Sequence, residues 1–319
     1  KDSRAFGSLS TNEKVTVTIN TADTLSGVDI VKHFRSDKIL TLDEVKAHTN
    51  WINVTESKNT FSYDVEPDEQ FVVYVYVVDM AGNEHYVSSD GIILDKTLPT
   101  VEKIAPEIII EPETDKQPIN DIYNTDVDVD VKVVDPTEKG TYSGLKSITY
   151  NIYNINFAGV ETKTQEGTLF TFDKTSGKAL VNTYDEAACI TVDRTKNNSN
   201  TVIIEVIATD NAGNTKTEKH SIQIDITAPV IDIAYDNNEV DSATYFDAIR
   251  KATIKISERN FKNEDVVITV THTDDDGKET KTTVTPNFTV EKDGDASKVY
   301  VFDGEGRDGS EYYVYTMDY

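Results

Sequence analysis

Apolar and polar residues alternate with a period of two along much of the chain. Val15, Val17 and Ile19 form one such set, Val73, Val75 and Val77 a second, and Val127, Val129, Val131 and Val133 a third. Ile204, Val206 and Ala208, then Ala252, Ile254 and Ile256, then Tyr312, Val314 and Thr316 continue the pattern. Successive side chains of a strand point to opposite faces, so each set predicts a strand with one face in a core. The opposite faces carry Tyr74 and Tyr76, Glu205 and Ile207, and Tyr313 and Tyr315, which this register puts on the solvent side. Helix is predicted only at Thr41 to Trp51, where Thr41 and Glu44 have capping-box spacing ahead of Val45. Asp276-Gly277, between VVITVTHT and KETKTTVT, predicts a hairpin. Tyr153 to Asn198, with Phe157, Phe170, Phe172 and Tyr184, lacks the alternation and is expected to be an irregular insertion.

A repeat organises these strands. A strand ends at Asp79, Ala81-Gly82-Asn83 follows, a second strand comes next, and Asp95-Lys96-Thr97-Leu98-Pro99 closes the unit. The same order recurs from Asp210 through Ala212-Gly213-Asn214 to Asp225-Ile226-Thr227-Ala228-Pro229. Asp318 stands in the frame of Asp79 and Asp210, so a third copy is expected, cut short at Tyr319 with its last strand open on one edge. Acidic Ser-Gly turns follow the first strand of two copies, Asp23 to Gly27 and Asp135 to Gly144, whereas the third has Ser257 to Phe261, SERNF.

Short strands, frequent turn signals and no βαβ alternation predict an all-β chain of three tandem immunoglobulin-like antiparallel β-sandwich domains. The expected boundaries are 1–97, with a short helical insertion, 98–227, with a long insertion at 153–198, and 228–319. Proline fixes its own φ and biases the preceding residue to extended geometry, so Thr97 to Pro99 and Thr227 to Pro229 are linkers that favour a rod.

Charge and cysteine narrow the partners. With 57 acidic against 31 basic side chains the formal charge is −26, which repels nucleic acid and anionic membrane surfaces. The single cysteine, Cys189, excludes a disulfide within the chain and a thiolate zinc site. No window of the sequence is apolar over the 18 or so residues a membrane helix needs, and the opening KDSRAFGSLS has no signal segment. The expectation is a monomeric fragment of a larger protein.

The D-x-A-G-N turns with their D-x-T-x-P closures resemble the tandem bacterial immunoglobulin-like repeats of Gram-positive surface and secreted proteins, and SERNF resembles a variant strand of such repeats from gut Firmicutes. The resemblance implies an extracellular segment at the bacterial surface or secreted. It implies a stalk, a spacer beside an enzyme, or an adhesive domain for host glycoproteins, immunoglobulins among them.

Candidate chemistry is thin. Asp79, Asp95, Asp210 and Asp225 suit turn carboxylates that accept backbone N–H bonds, and the same residues are the metal candidates, since Ca²⁺ takes six to eight oxygens; apart from calcium no cofactor is expected. Asp126, Asp128 and Asp130 share one strand face and read as a solvated surface. The five histidines do not cluster, and no nucleophile elbow or phosphate loop is present, so no enzyme is expected. Tyr74, Tyr76, Tyr313 and Tyr315 are the candidate contact residues. The expected function is a non-catalytic extracellular stalk or spacer; the alternative is an adhesin segment that binds a host protein or a glycan through exposed strands or the 153–198 insertion.

Overall fold

The computed structural model describes residues 5–7, 9–55, 57–106, 122–137, 141–156, 159–176, 178–236, 251–292 and 311–318. They form an all-β chain whose sheets fall into three successive stretches. The first holds β1 (Leu9–Thr11), β2 (Val15–Asn20), β3 (Val28–Ser36), helix α1 (Leu42–Ala47), β4 (Ile52–Asn53), β5 (Thr60–Val65), β6 (Glu69–Asp79), β7 (Glu84–Ser88) and β8 (Ile92–Leu94). The second holds β9 (Thr100–Pro106), β10 (Ile122–Tyr123), β11 (Val127–Val134), β12 (Leu145–Ile155), β13 (Glu161–Thr171), β14 (Thr183–Val192), β15 (Ser199–Asp210) and β16 (Thr215–Ile224). The third holds β17 (Val230–Tyr235), β18 (Lys251–Ser257), β19 (Ile268–Thr273), β20 (Glu279–Val284), β21 (Thr289–Lys292) and β22 (Glu311–Asp318).

In the second stretch the sheet β10-β16-β15-β12-β13 faces the sheet β14-β11-β9. Val127, Val129, Val131 and Val133 from one sheet and Ile148, Ile152, Ile204, Val206 and Ala208 from the other close a single core, each with 3% exposure or less. Truncating Ile204 to Ala would cost about 2–5 kcal/mol in so closed a site. The first stretch repeats the plan: Ile19, Val31, Val65, Phe71, Val73 and Val75 make its core, against which Val15, Val17 and Val77 pack. Both stretches also carry one short parallel pair, β1 on β8 and β10 on β16, just before the closing aspartate.

Several expectations require correction. Helix α1 has the capping box, with Thr41 Oγ1 accepting from the Glu44 N–H and the Glu44 carboxylate accepting from the Thr41 N–H, but it ends at Ala47 and not at Trp51. Its Val45 packs with Phe34, Val72 and Tyr74 on the outer face of β6. That face is therefore covered, and Tyr74, 2% exposed, is not on the solvent side. The stretch 153–198 is not irregular, since the long strands β13, mostly polar, and β14, which sends Ile190 and Val192 into the core, run through it. ETKTQEGTLFT offers no apolar period because β13 is an edge strand paired only on the β12 side.

The third stretch departs most from the expected plan. Strand β22 lies between β18 and β21, so its expected open edge does not exist. Its partner β18 matches β11 in sequence, yet β11 lies across the core from β15 and in the other sheet. The backbone register pairs Tyr313 with Ile256 and Tyr315 with Ile254. The hairpin at Asp276-Gly277 forms as expected between β19 and β20, with Gly277 at φ +79.

Candidate functional site

The three hairpin turns have one construction. Asp210 N–H donates to Asn214 C=O at 3.1 Å, Gly213 N–H donates back to Asp210 C=O, and Gly213 sits at φ +96. Asp79 with Asn83, and Asp274 with Lys278, make the same ring, the three-residue hairpin loop that ends in a left-handed residue. In the first two turns the aspartate side chain gathers the turn's N–H groups. Asp79 Oδ1 accepts from Ala81 and Asn83, and Asp210 Oδ1 accepts from Ala212, Gly213 and Asn214 at 2.8–2.9 Å. The structural role expected for these two carboxylates is therefore present.

What lies beside the turns differs. Beside the Asp210 turn, the Asp135 turn returns through Gly144, whose N–H donates to Asp135 Oδ2 at 2.6 Å and whose C=O accepts from Asn211. Asp95, which closes the first stretch, inserts here: its Oδ2 accepts from the Ser143 N–H at 2.9 Å, and its carbonyl accepts from the Asn214 side-chain amide. Asn12 adds a bond to Asn214 Oδ1. Asp95, Asp135 and Asp210 are each 0% exposed, and one carboxylate oxygen from each lies within 4.8 Å of the others. None of the three makes an ion pair among the described residues.

This crowding acts on their protonation. Burial first, then the neighbouring Asp95 charge, pushes the Asp135 carboxyl up to about 7. Burial also raises Asp95 and Asp210 above the ordinary range for aspartate, against the pull of the N–H groups that each accepts. Asp79, with the same turn but no neighbour inserted, moves the other way, lowered chiefly by its bond from the Asn83 side chain. Asp23, which matches Asp135 in the first stretch, is lowered by its bond from Ser26.

A second joint lies at the other end of the second stretch. Asp225 N–H donates to the Tyr123 C=O, as Asp95 N–H does to Thr11, and each carboxylate accepts from the Thr two residues on. Here the next stretch supplies a cation. Arg259 of SERNF lies 2.8 Å from Asp225 Oδ1 and donates to the Ile224 carbonyl and to Asn198, while Asn260 donates to Asp225 Oδ2 at 2.5 Å.

Of the four candidate metal residues, then, Asp95 and Asp210 come together, Asp225 is ion-paired elsewhere, and Asp79 stands apart. Asp135 completes the cluster. Its acidic Ser-Gly turn was visible in the sequence, but its approach to Asp95 was not.

The tyrosines do not form a common surface. The Tyr74 ring stacks on Phe34 and its hydroxyl accepts from the Leu40 N–H at 2.6 Å. Tyr76 donates to Glu84, rests against Tyr86, and is pushed up to about 12 by burial and by the Glu84 charge. The side chains of Tyr313 and Tyr315, and Phe157, lie outside the described residues. Asp126, Asp128 and Asp130 bond across the sheet to the Arg194 N–H, the Thr191 hydroxyl and the Ala188 N–H, and Asp130 also pairs with Lys103.

No family model matches the chain, and no curated protein matches it. Among solved structures it is similar to a tetra-tandem repeat in the extending region of a large adhesion protein, 16% identical over 97% of this chain and 71% of that one, with a TM-score of 0.36. A 1.5-MDa bacterial ice-binding adhesin, described for its host cell surface retention, is 14% identical over 95% of this chain and 80% of that one, at 0.31. A Ca²⁺-stabilized adhesin that helps an Antarctic bacterium reach out and bind ice is 13% identical over 95% and 86%, at 0.29. These scores are too low to assign a shared fold. Among the described residues no helix is long and apolar enough to cross a membrane.

Proposed function

We propose that this chain is a non-catalytic, extended segment of a bacterial cell-surface protein, built from three immunoglobulin-like domains in series. The observation that carries the proposal is the position of the two joints on one hairpin. Asp95 and Asn12 meet the turn at residues 210–214, where β15 ends and β16 begins. Arg259 meets Asn198 and Ile224, at the opposite ends of the same two strands. Strand β16 spans Thr215–Ile224, nine steps of about 3.3 Å, so the joints stand about 30 Å apart along the hairpin. Attachments at opposite ends of a rigid sandwich extend the chain instead of folding it back.

The repeated closing motif and the strongly negative charge support the same reading, because self-repelling acidic surfaces keep tandem domains apart and soluble. An adhesive role would need a displayed surface, and of the tyrosines expected to form one Tyr74 is buried and Tyr76 is half-buried with its hydroxyl engaged by Glu84. The discriminating experiment passes host secretions over the immobilised chain. The stalk reading expects nothing to be retained at micromolar concentration; specific retention of one host protein or glycan contradicts it.

A further inference from the structure

We propose that Asp95, Asp135 and Asp210 bind one calcium ion at the joint between the first and second stretches, so that this joint is clamped by a mobile cation where the next is clamped by Arg259. The proposal goes beyond the stalk reading and does not depend on it, because a rod can form with or without a metal at one joint.

Three observations carry it. The cluster is closed to water on every member, with no counter-ion among the described residues. Buried charges in proteins are paired or coordinate metals. The hydrogen bonds are also unevenly shared. Asp210 accepts four, from Ala212, Gly213 and the main and side chains of Asn214, and Asp95 accepts from Thr97 and Ser143. Asp135 accepts at Oδ2 from Gly144, and its Oδ1 is buried with no hydrogen-bond partner among the described residues. An orphaned buried carboxylate oxygen is costly, and a ligand that takes it up removes that cost.

The third observation is size. Two oxygens bound to one Ca²⁺ at about 2.3–2.6 Å stand at most about 5 Å apart. The present separations, all within 4.8 Å, lie inside that limit. The donor set is all oxygen, with no histidine or cysteine in the cluster, which disfavours zinc and the later transition metals. The matching second joint explains why a cation is wanted at all. Asp225 occupies the place of Asp95, and there the chain itself provides the positive charge through Arg259.

The test uses the full chain, stripped with chelator, titrated with calcium chloride by calorimetry and melted with and without 5 mM calcium. One binding event per chain is expected, with an upward melting shift of at least about 5 °C for the transition that includes the joint. Asp135→Asn keeps the volume and removes one charge. It is expected to weaken calcium binding at least tenfold and to abolish the shift, while melting no lower than the parent in chelator because repulsion has been relieved. Asp225→Asn is expected to leave calcium binding unchanged. The proposal is overturned if calcium gives neither heat nor a melting shift, if Asp135→Asn retains the full shift, or if Asp225→Asn abolishes calcium binding as Asp135→Asn should.

Discussion

The two joints solve one problem with different chemistry. In each, an Asp-x-Thr-x-Pro segment leaves one sandwich and its aspartate is buried against the next. At the first joint the receiving stretch adds two more carboxylates, Asp135 and Asp210. At the second it adds a guanidinium and an amide, Arg259 and Asn260. The acidic turn of the second stretch has been replaced by SERNF in the third, and with it the sign of the partner charge. The lesson is that a repeated sequence motif fixes where a joint forms, whereas the residues that meet it decide whether the joint is self-sufficient or depends on its medium.

The sharpest way to break the comparison is to remove the fixed cation. Arg259→Met leaves Asp225 buried without its counter-charge, and losing one member of a buried pair costs about 3–5 kcal/mol. Hydrogen exchange should register this as lost protection of β17 and β18, with β11 and β15 little changed. Next in size is Asp210→Ala, measured in calcium. It strips three turn N–H groups of their acceptor in a buried setting, and about 2 kcal/mol or more is expected from the second sandwich. The same change at Asp79, in the exposed copy of the turn, should destabilise the first sandwich less, which thermal melting of the two variants would resolve.

The titration of the first joint gives a third handle. In chelator the folded Asp135 holds its proton up to about pH 7, whereas the unfolded chain releases it near 4. The folded state then binds more protons across that window, so stability falls as pH rises from about 4 to about 7. With calcium bound the carboxylate stays ionised in the folded protein, and this fall should vanish. Chemical denaturation at pH 5 and pH 7, each with and without the metal, measures both arms. The smallest effect expected is from Gly213→Ala and Gly82→Ala. Both glycines have positive φ, +96 and +86, with nothing within 4 Å of an added Cβ, so each should cost about 1 kcal/mol by backbone strain alone. Equal losses at the two sites would show that the turns are alike and only their surroundings differ.

Much of this was legible in the chain. Strands β6, β11 and β15 could be placed face by face because one side of each is wholly apolar, and Asp276-Gly277 fixed its hairpin. What escaped was tertiary. Tyr74 alternates as an outer residue and is covered only because α1 folds back over β6. β13 is polar from Glu161 to Thr168 and offers only Leu169 and Phe170 to the core, so no period marks it. Alternation in β22 identified a strand but not its neighbours, which is why β18 and β21 flank it against expectation. The carboxylate cluster was half legible for the same reason. Asp95 and Asp210 shared a motif, but Asp135 joins them only through a contact between sandwiches that no local pattern encodes.

The central claim is that the joints string the sandwiches end to end, and small-angle X-ray scattering tests it directly. A single compact globule of this length would have a radius of gyration of about 20 Å. The joints at opposite ends of the β15–β16 hairpin predict a value well above that, about 30 Å or more, with a maximum dimension beyond about 100 Å for three successive stretches of roughly 30–40 Å each. A radius near 20 Å in calcium-containing buffer would contradict the end-to-end arrangement.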